Sequence, residues 1–212
     1  MKNRIFYSLM ASAVLLSSSA FAKGGCELAQ VGAMNVEWTA YKTDKKIGVG
    51  GTFEGVTYKP VAKSGENFRS ILVGSSVSID TKSVNTKHES RDATLGKFFF
   101  EMMSQKNIEA KIVDIKADKS EKGAPRKGTL SVEIEMNGVK KTVPMKYSFS
   151  DGLFAAEGVI DILDFEATKA LSSIAKECFD LHEGKTWSEV SIGFKTKIEA
   201  ILCSAKPLEV AK

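Results

Sequence analysis

Runs in which every second residue is apolar constrain this 212-residue chain more than any other feature. Leu130, Val132, Ile134 and Met136 alternate with Ser131, Glu133 and Glu135. On a strand this puts one set on each face. Asn137-Gly138 follows, and because both residues tolerate positive φ they close a two-residue hairpin. Val143, Met145, Tyr147 and Phe149 carry the period back, and Asp151-Gly152 turns the chain again toward Leu153. Val36, Trp38 and Ala40 share a face near the start, and Ile71, Val73, Val77 and Ile79 form another series. Near the end Val190, Ile192, Phe194, Ile198 and Leu202 hold one face over a length that belongs to a strongly curved sheet.

One greasy face and one wet face imply antiparallel pairing. Seven or eight such strands joined by short turns predict a barrel or a sandwich, and closure would remove exposed edges. Gly48, Gly50 and Gly51 fall in the second strand, where glycine permits a bend or bulge, which favours the barrel. One helix interrupts the pattern. Asp164 reads as its N-cap, and Ala167, Leu171, Ile174 and Cys178 form a stripe at helical spacing, extended by Phe165 and Leu181. A helix with a single apolar stripe lies on something, here one open end of the barrel. A short helical turn is expected around Ala93 to Met103, where Phe98, Phe99, Met102 and Met103 bunch together, and a charged loop over Lys116 to Lys127.

The first 22 residues read as an address. Lys2 and Arg4 precede the mostly apolar Ile5 to Leu16, and Ala20-Phe21-Ala22 is an A-x-A cleavage site. The apolar run is too short for a span of about 20 residues. An exported protein starting at Lys23 is therefore expected, with residues 23–212 as a single domain. Cys26 does not read as a lipid-anchor site, because Lys23-Gly24-Gly25 precedes it. Without Lys2 and Arg4, 28 basic residues face 26 acidic ones, interspersed rather than clustered, which gives no footprint for nucleic acid. Cys26, Cys178 and Cys203 all lie beyond the address. An oxidising compartment predicts one disulfide and one thiol left over, and the sequence does not choose among the three pairings.

Catalytic motifs are sparse. His88 and His182 are the only histidines and share no motif, so neither a metal nor a cofactor is expected. No serine sits in a G-x-S-x-G elbow. Glu133 and Glu135 fall on the wet face of their strand and read as solvated.

The order of several short motifs resembles the YceI family of periplasmic, lipocalin-like barrels. The first strand with Trp38 is followed by Gly48-Val49-Gly50-Gly51-Thr52-Phe53; Val77 to Leu95 then carries a strand, a polar bend and Arg91-Asp92-Ala93-Thr94-Leu95. The aromatic cluster Phe98-Phe99-Phe100 precedes Ile108-Glu109-Ala110-Lys111, and Gly158 to Phe165 and Trp187 to Phe194 resemble the closing strands. The chain departs from the family at Thr94, where relatives often carry His, and at Lys97 and Glu101, which replace aspartates around the phenylalanines.

The resemblance implies an all-β, eight-stranded antiparallel barrel with one capping α-helix and a short helical turn. It also implies an isoprenoid ligand, a polyprenyl or quinone lipid, held inside a protein that is not an enzyme. Small inward residues such as Ala40, Gly51, Gly74, Ala110 and Ala156 would leave apolar room, and each buried methylene contributes about 0.8 kcal/mol. Trp38, Phe53, Phe99, Phe149, Phe154 and Trp187 are the candidates for the pocket wall or mouth, against the plainer reading of aromatics as core. Arg91 is the candidate for a headgroup, against a structural role with Asp92 in pinning the bend. Two other functions stay open: a filled-core interaction module for an inner-membrane protein, and a lipid-modifying enzyme. Transient membrane contact and a homodimer stay open as well.

Overall fold

The computed structural model describes residues 26–119, 121 and 123–201; the expected address at 1–22, Leu202 and Cys203 lie outside them. The chain forms a single antiparallel sheet of ten strand segments: β1 (Glu27–Lys42), β2 (Ile47–Phe53), β3 (Val56–Lys59), β4 (Ser76–Asp80), β5 (Val84–Asn85), β6 (Asn107–Ala117), β7 (Arg126–Met136), β8 (Val139–Ser150), β9 (Leu153–Asp161) and β10 (Thr186–Ile201). Among the described residues three helices accompany it, α1 (Phe68–Leu72), α2 (Glu89–Phe98) and α3 (Thr168–Glu177).

Ten segments stand where eight strands were expected, and the difference has a local cause. The order across the sheet is β3-β4-β6-β7-β8-β9-β10-β1-β2-β5. Its edge segments β3 and β5 directly continue β2 and β4 after short interruptions at Glu54-Gly55 and Thr81–Ser83. Two backbone bonds bridge that break, Glu54 N–H to the Ser83 carbonyl at 3.0 Å and Asp80 N–H to the Gly55 carbonyl at 2.9 Å. The curled sheet thus meets itself along these two kinked runs, and its edges are satisfied internally.

Local chemistry accounts for the turns. Asn137-Gly138 and Asp151-Gly152 both adopt positive φ, 53° and 80°, then 51° and 77°, the combination a two-residue hairpin needs. Of the bend or bulge expected at Gly48–Gly51, the bulge is absent, because β1 and β2 pair without a register shift. Gly51 serves a different purpose: a Cβ there would lie 2.5 Å from Cζ2 of Trp38, so the missing side chain lets the indole lie flat on the strand.

The helices also differ from expectation. α3 begins at Thr168, and Asp164 lies inside a preceding 3-10 turn, Ile162–Phe165, capped by Asp161, whose Oδ1 accepts from Leu163 N at 2.9 Å. Of the stripe, Ala167, Ile174 and Cys178 are buried, as is Phe165, whereas Leu181 at its far end is exposed. The turn expected near Ala93 is the ten-residue α2, followed by a 3-10 turn at Phe100–Met102. α1 had no counterpart in the alternation reading, which placed Ile71 on a strand. Asn67 and Ser70 form a reciprocal capping box there, and Ile71 and Leu72 are completely buried.

The two ends of the barrel are closed differently. At the end where β1 starts, α1 inserts Phe68 among Tyr147, Phe149 and Phe154, with ring centroids 6.0, 5.0 and 5.3 Å away. Tyr147 stacks on Phe154 at 4.9 Å. At the other end α2 and α3 pack on each other over the barrel.

Candidate functional site

Beneath α2 and α3 lies a cavity of about 450 Å³, within the range of small-molecule sites. The wall comes from the halves of the strands nearest these helices: Val36, Trp38 and Ala40 of β1, Ile134 and Met136 of β7, Val190, Ile192 and Phe194 of β10. Leu171 and Ile174 of α3, with Cys178 capping its C-terminus, roof it. Period-two alternation brings these side chains inward, and the floor is the aromatic cluster, which Phe194 joins by stacking on Phe154 at 6.0 Å.

Five of the seven candidates border this cavity: Trp38, Phe53, Arg91, Phe99 and Trp187. Phe149 and Phe154 do not. Phe154 has no exposed surface, and both rings belong to the plug formed with Phe68. Alternation correctly placed them inward but could not say which end of the barrel α1 fills. Phe53 and Phe99 both meet Phe100 edge-on, at 5.9 and 5.1 Å, so the aromatic run after α2 forms one side of the chamber. Alternation also pointed inward at Ile134, Val190, Ile192 and Phe194 without marking them as site residues. Met34, Tyr58 and Cys178 were missed as lining residues: Met34 extends the Val36, Trp38 and Ala40 face of β1 by one more period, whereas Tyr58 and Cys178 need β3 and α3 to be placed.

The two tryptophans differ. Trp187 Nε1 donates to the Thr43 carbonyl at 2.8 Å, and the ammonium groups of Lys46 and Lys185 sit 4.9 and 4.7 Å from its ring centre. It latches the β1–β2 turn to the start of β10. Trp38 Nε1 is buried without a hydrogen-bond partner among the described residues.

The opening is marked by residues that border the cavity and are exposed: His88 and Ser90 on the α2 side and Leu181 on the other, 72% exposed. Lys111 borders the wall at β6. Arg91 Nε donates to Thr86 Oγ1 and one Nη to the Thr86 carbonyl, both at 2.8 Å. Asp92 Oδ1 accepts from Thr86 N at 2.9 Å and from its hydroxyl. The Arg-Asp pair therefore does pin the bend, through Thr86, and Asp92 does not border the chamber. Opposite, Lys42 Nζ reaches the Leu181 carbonyl at 3.4 Å, and His182 Nδ1 meets Thr186 Oγ1 at 2.7 Å. Burial, with Lys42 nearby, pushes the His182 pKa down. Burial pushes the Cys178 thiol up.

Cys178 sits in the roof, whereas Cys26 directly precedes β1 at the other end. These two are not joined to each other, and the pairings with Cys203 lie outside the described residues. Glu133 and Glu135 both face Lys140, at 3.3 and 3.6 Å. Among the described residues no three His, Cys, Asp or Glu side chains are grouped to hold a metal ion.

The family model described as the YceI-like domain matches residues 31–198. The chain belongs to the YceI family. Solved structures share its fold. A polyisoprenoid-binding domain from Saccharophagus degradans, implicated in plant cell wall breakdown, aligns with a TM-score of 0.53 at 13% identity, covering 82% of this chain and 98% of that one. A mutant YceI protein of Campylobacter jejuni carrying a monobromobimane guest aligns at 0.50 and 19% identity, covering 72% of this chain and 84% of that one. No curated protein matches the chain.

Proposed function

We propose that this YceI protein is an exported, periplasmic carrier that holds an apolar isoprenoid-type lipid, a polyprenyl or quinone chain, in the cavity under α2 and α3. The observation that carries the reading is the chamber of about 450 Å³ with a mostly apolar wall, closed over by α2 and α3. Water gains little in such a space, whereas a lipid chain contributes about 0.8 kcal/mol per buried methylene. The Saccharophagus neighbour is by its description a polyisoprenoid-binding domain, which agrees with this cargo. The apolar run before Lys23 supports export.

The filled-core alternative describes only the α1 half, where Phe68, Tyr147, Phe149 and Phe154 pack ring against ring. A lipid-modifying enzyme would need titratable groups converging inside, and Asp92 instead faces Thr86. The exposed Phe179 and Leu181 beside the opening are suited to transient contact with a membrane during transfer.

Mass spectrometry of an organic extract of the natively purified protein tests the reading. An isoprenoid at near-stoichiometric amount is expected, and returning it to delipidated protein should raise the melting temperature. Saturation at a hundred times Kd corresponds to about 2.7 kcal/mol. An extract holding no lipid, together with an unchanged melting temperature on adding isoprenoids, would remove the carrier role.

A further inference from the structure

The start of β1 and the end of β10 are neighbours in the barrel. These strands, 16 residues each, run antiparallel, and Glu27, the first residue of β1, is the register partner of Ile201, the last of β10. The start of β1 is also pinned from its other side, where Leu28 and Gly65 exchange backbone bonds of 2.7 and 2.9 Å. Cys26 directly precedes this rung and is exposed. Cys203 follows Ile201 by two residues in the sequence.

A ladder continued by one rung would set Cys26 opposite Leu202, one step from Cys203. Adjacent strands lie about 5 Å apart and one residue advances about 3.3 Å, which makes that diagonal about 6 Å between Cα atoms. A disulfide spans about 4.4–6.8 Å. Strict alternation would turn the two side chains to opposite faces, and one irregular residue past Ile201 would bring them to the same side. The β1–β10 pair already shifts register twice, between Val31 and Asn35 and between Ala40 and Lys42.

The competing pairings fail on reach. Cys178 caps the C-terminus of α3 at the opposite end, buried in the roof of the chamber. From that end β10 runs back to Ile201 over about 50 Å of strand. The two residues from Ile201 to Cys203 extend at most about 7 Å. The length of β1 separates Cys26 from Cys178 in the same way.

We propose that Cys26 and Cys203 form a disulfide that clasps the two strands at the α1 end and leaves Cys178 as the single thiol. This rests on the export part of the functional reading, because the bond needs an oxidant of the protein-disulfide class. The two thiols give up two electrons and two protons to the disulfide of such an oxidase, which leaves as a dithiol. The clasp closes most of the chain into one loop and so restricts the unfolded state.

Peptide mass spectrometry of the full chain, secreted through an oxidising compartment and alkylated in denaturant with and without reduction, tests it. One linked Cys26–Cys203 peptide pair is expected, with Cys178 alone alkylated before reduction. Cys26→Ser should lower the melting temperature by roughly 5–15 °C, and reductant should bring the native sequence down to the same value. Cys178→Ser should keep the linked pair and its response to reductant. A bond from Cys178 to either partner, or three alkylated thiols in protein that has lost residues 1–22, would overturn the clasp. Three thiols in protein that still carries residues 1–22 would defeat the export reading, and the clasp with it.

Discussion

The two halves of this barrel are built from the same alternating strands and end in opposite states. Around α1 the interior is solid: Phe68 wedges between Phe149 and Phe154, and Ile71 and Leu72 are sealed beneath it. Around α2 and α3 the strands present Val36, Ala40, Ala110 and Val190 to a chamber that side chains do not fill. The inward face is therefore equally greasy at both ends, and the size of the residues, with the depth to which a helix inserts, decides between core and container. α1 drops a phenylalanine into its end, whereas α3 offers Leu171 and Ile174, with Cys178 capping its C-terminus, as a lid.

The largest effect should come from emptying the solid half. Phe154→Ala removes a fully buried ring stacked on Tyr147 and Phe194 and should cost about 3–5 kcal/mol. Phe99→Ala, whose ring already borders open space, should cost about 1–2 kcal/mol, because part of the void it would leave exists beforehand. Urea unfolding of both variants checks the contrast. Similar losses would mean that the chamber is packed in solution.

The reverse operation fills the hollow half. Ala40→Phe projects a ring into the chamber from β1 and should exclude about three methylenes of cargo. That corresponds to about 2.4 kcal/mol, or roughly fiftyfold in affinity, with the fold retained. Lipid titration alongside circular dichroism reads both quantities. An unchanged affinity would place the cargo elsewhere.

Cys178 offers a direct report from the roof. Its thiol borders the chamber and burial raises its pKa, so alkylation should be slow at neutral pH. Bound isoprenoid should slow it further. Mass spectrometry of the Cys178 peptide after iodoacetamide, with and without lipid, measures the protection; equal labelling would separate the cargo from α3.

Much of this was legible in the sequence. Alternation, the Asn137-Gly138 and Asp151-Gly152 turns and the α3 stripe give an antiparallel barrel with a helix over one end. The solid half was not legible, because α1 occupies five residues whose apolar members fit a strand equally well, so Phe149 and Phe154 looked like pocket wall. Gly51 was legible as special, but its part as a cradle for Trp38 was not. Such a contact joins neighbouring strands face to face, and periodicity along one strand cannot register it. Arg91 lay between two roles in the sequence, and Thr86 shows how one side chain serves the bend while bordering the chamber.

The smallest expected effect separates the two ends by pH. Burial and the nearby Lys42 depress the His182 pKa in the folded protein, so the unfolded chain takes up the proton first as pH falls below about 6.5. More protons then bind the unfolded state than the native one, and stability declines with falling pH until the folded pKa is passed. In the same window Asp114, held below the ordinary carboxylate range by its hydrogen bond from Arg69 beside the α1 end, stays ionised in both states and adds no slope; its share is lost only below about pH 4. Urea midpoints at pH 7.5 and 5.5 should therefore fall for the native sequence and fall less for His182→Gln. An equal decline in the two would move the acid sensitivity away from the rim of the chamber and onto groups elsewhere in the barrel.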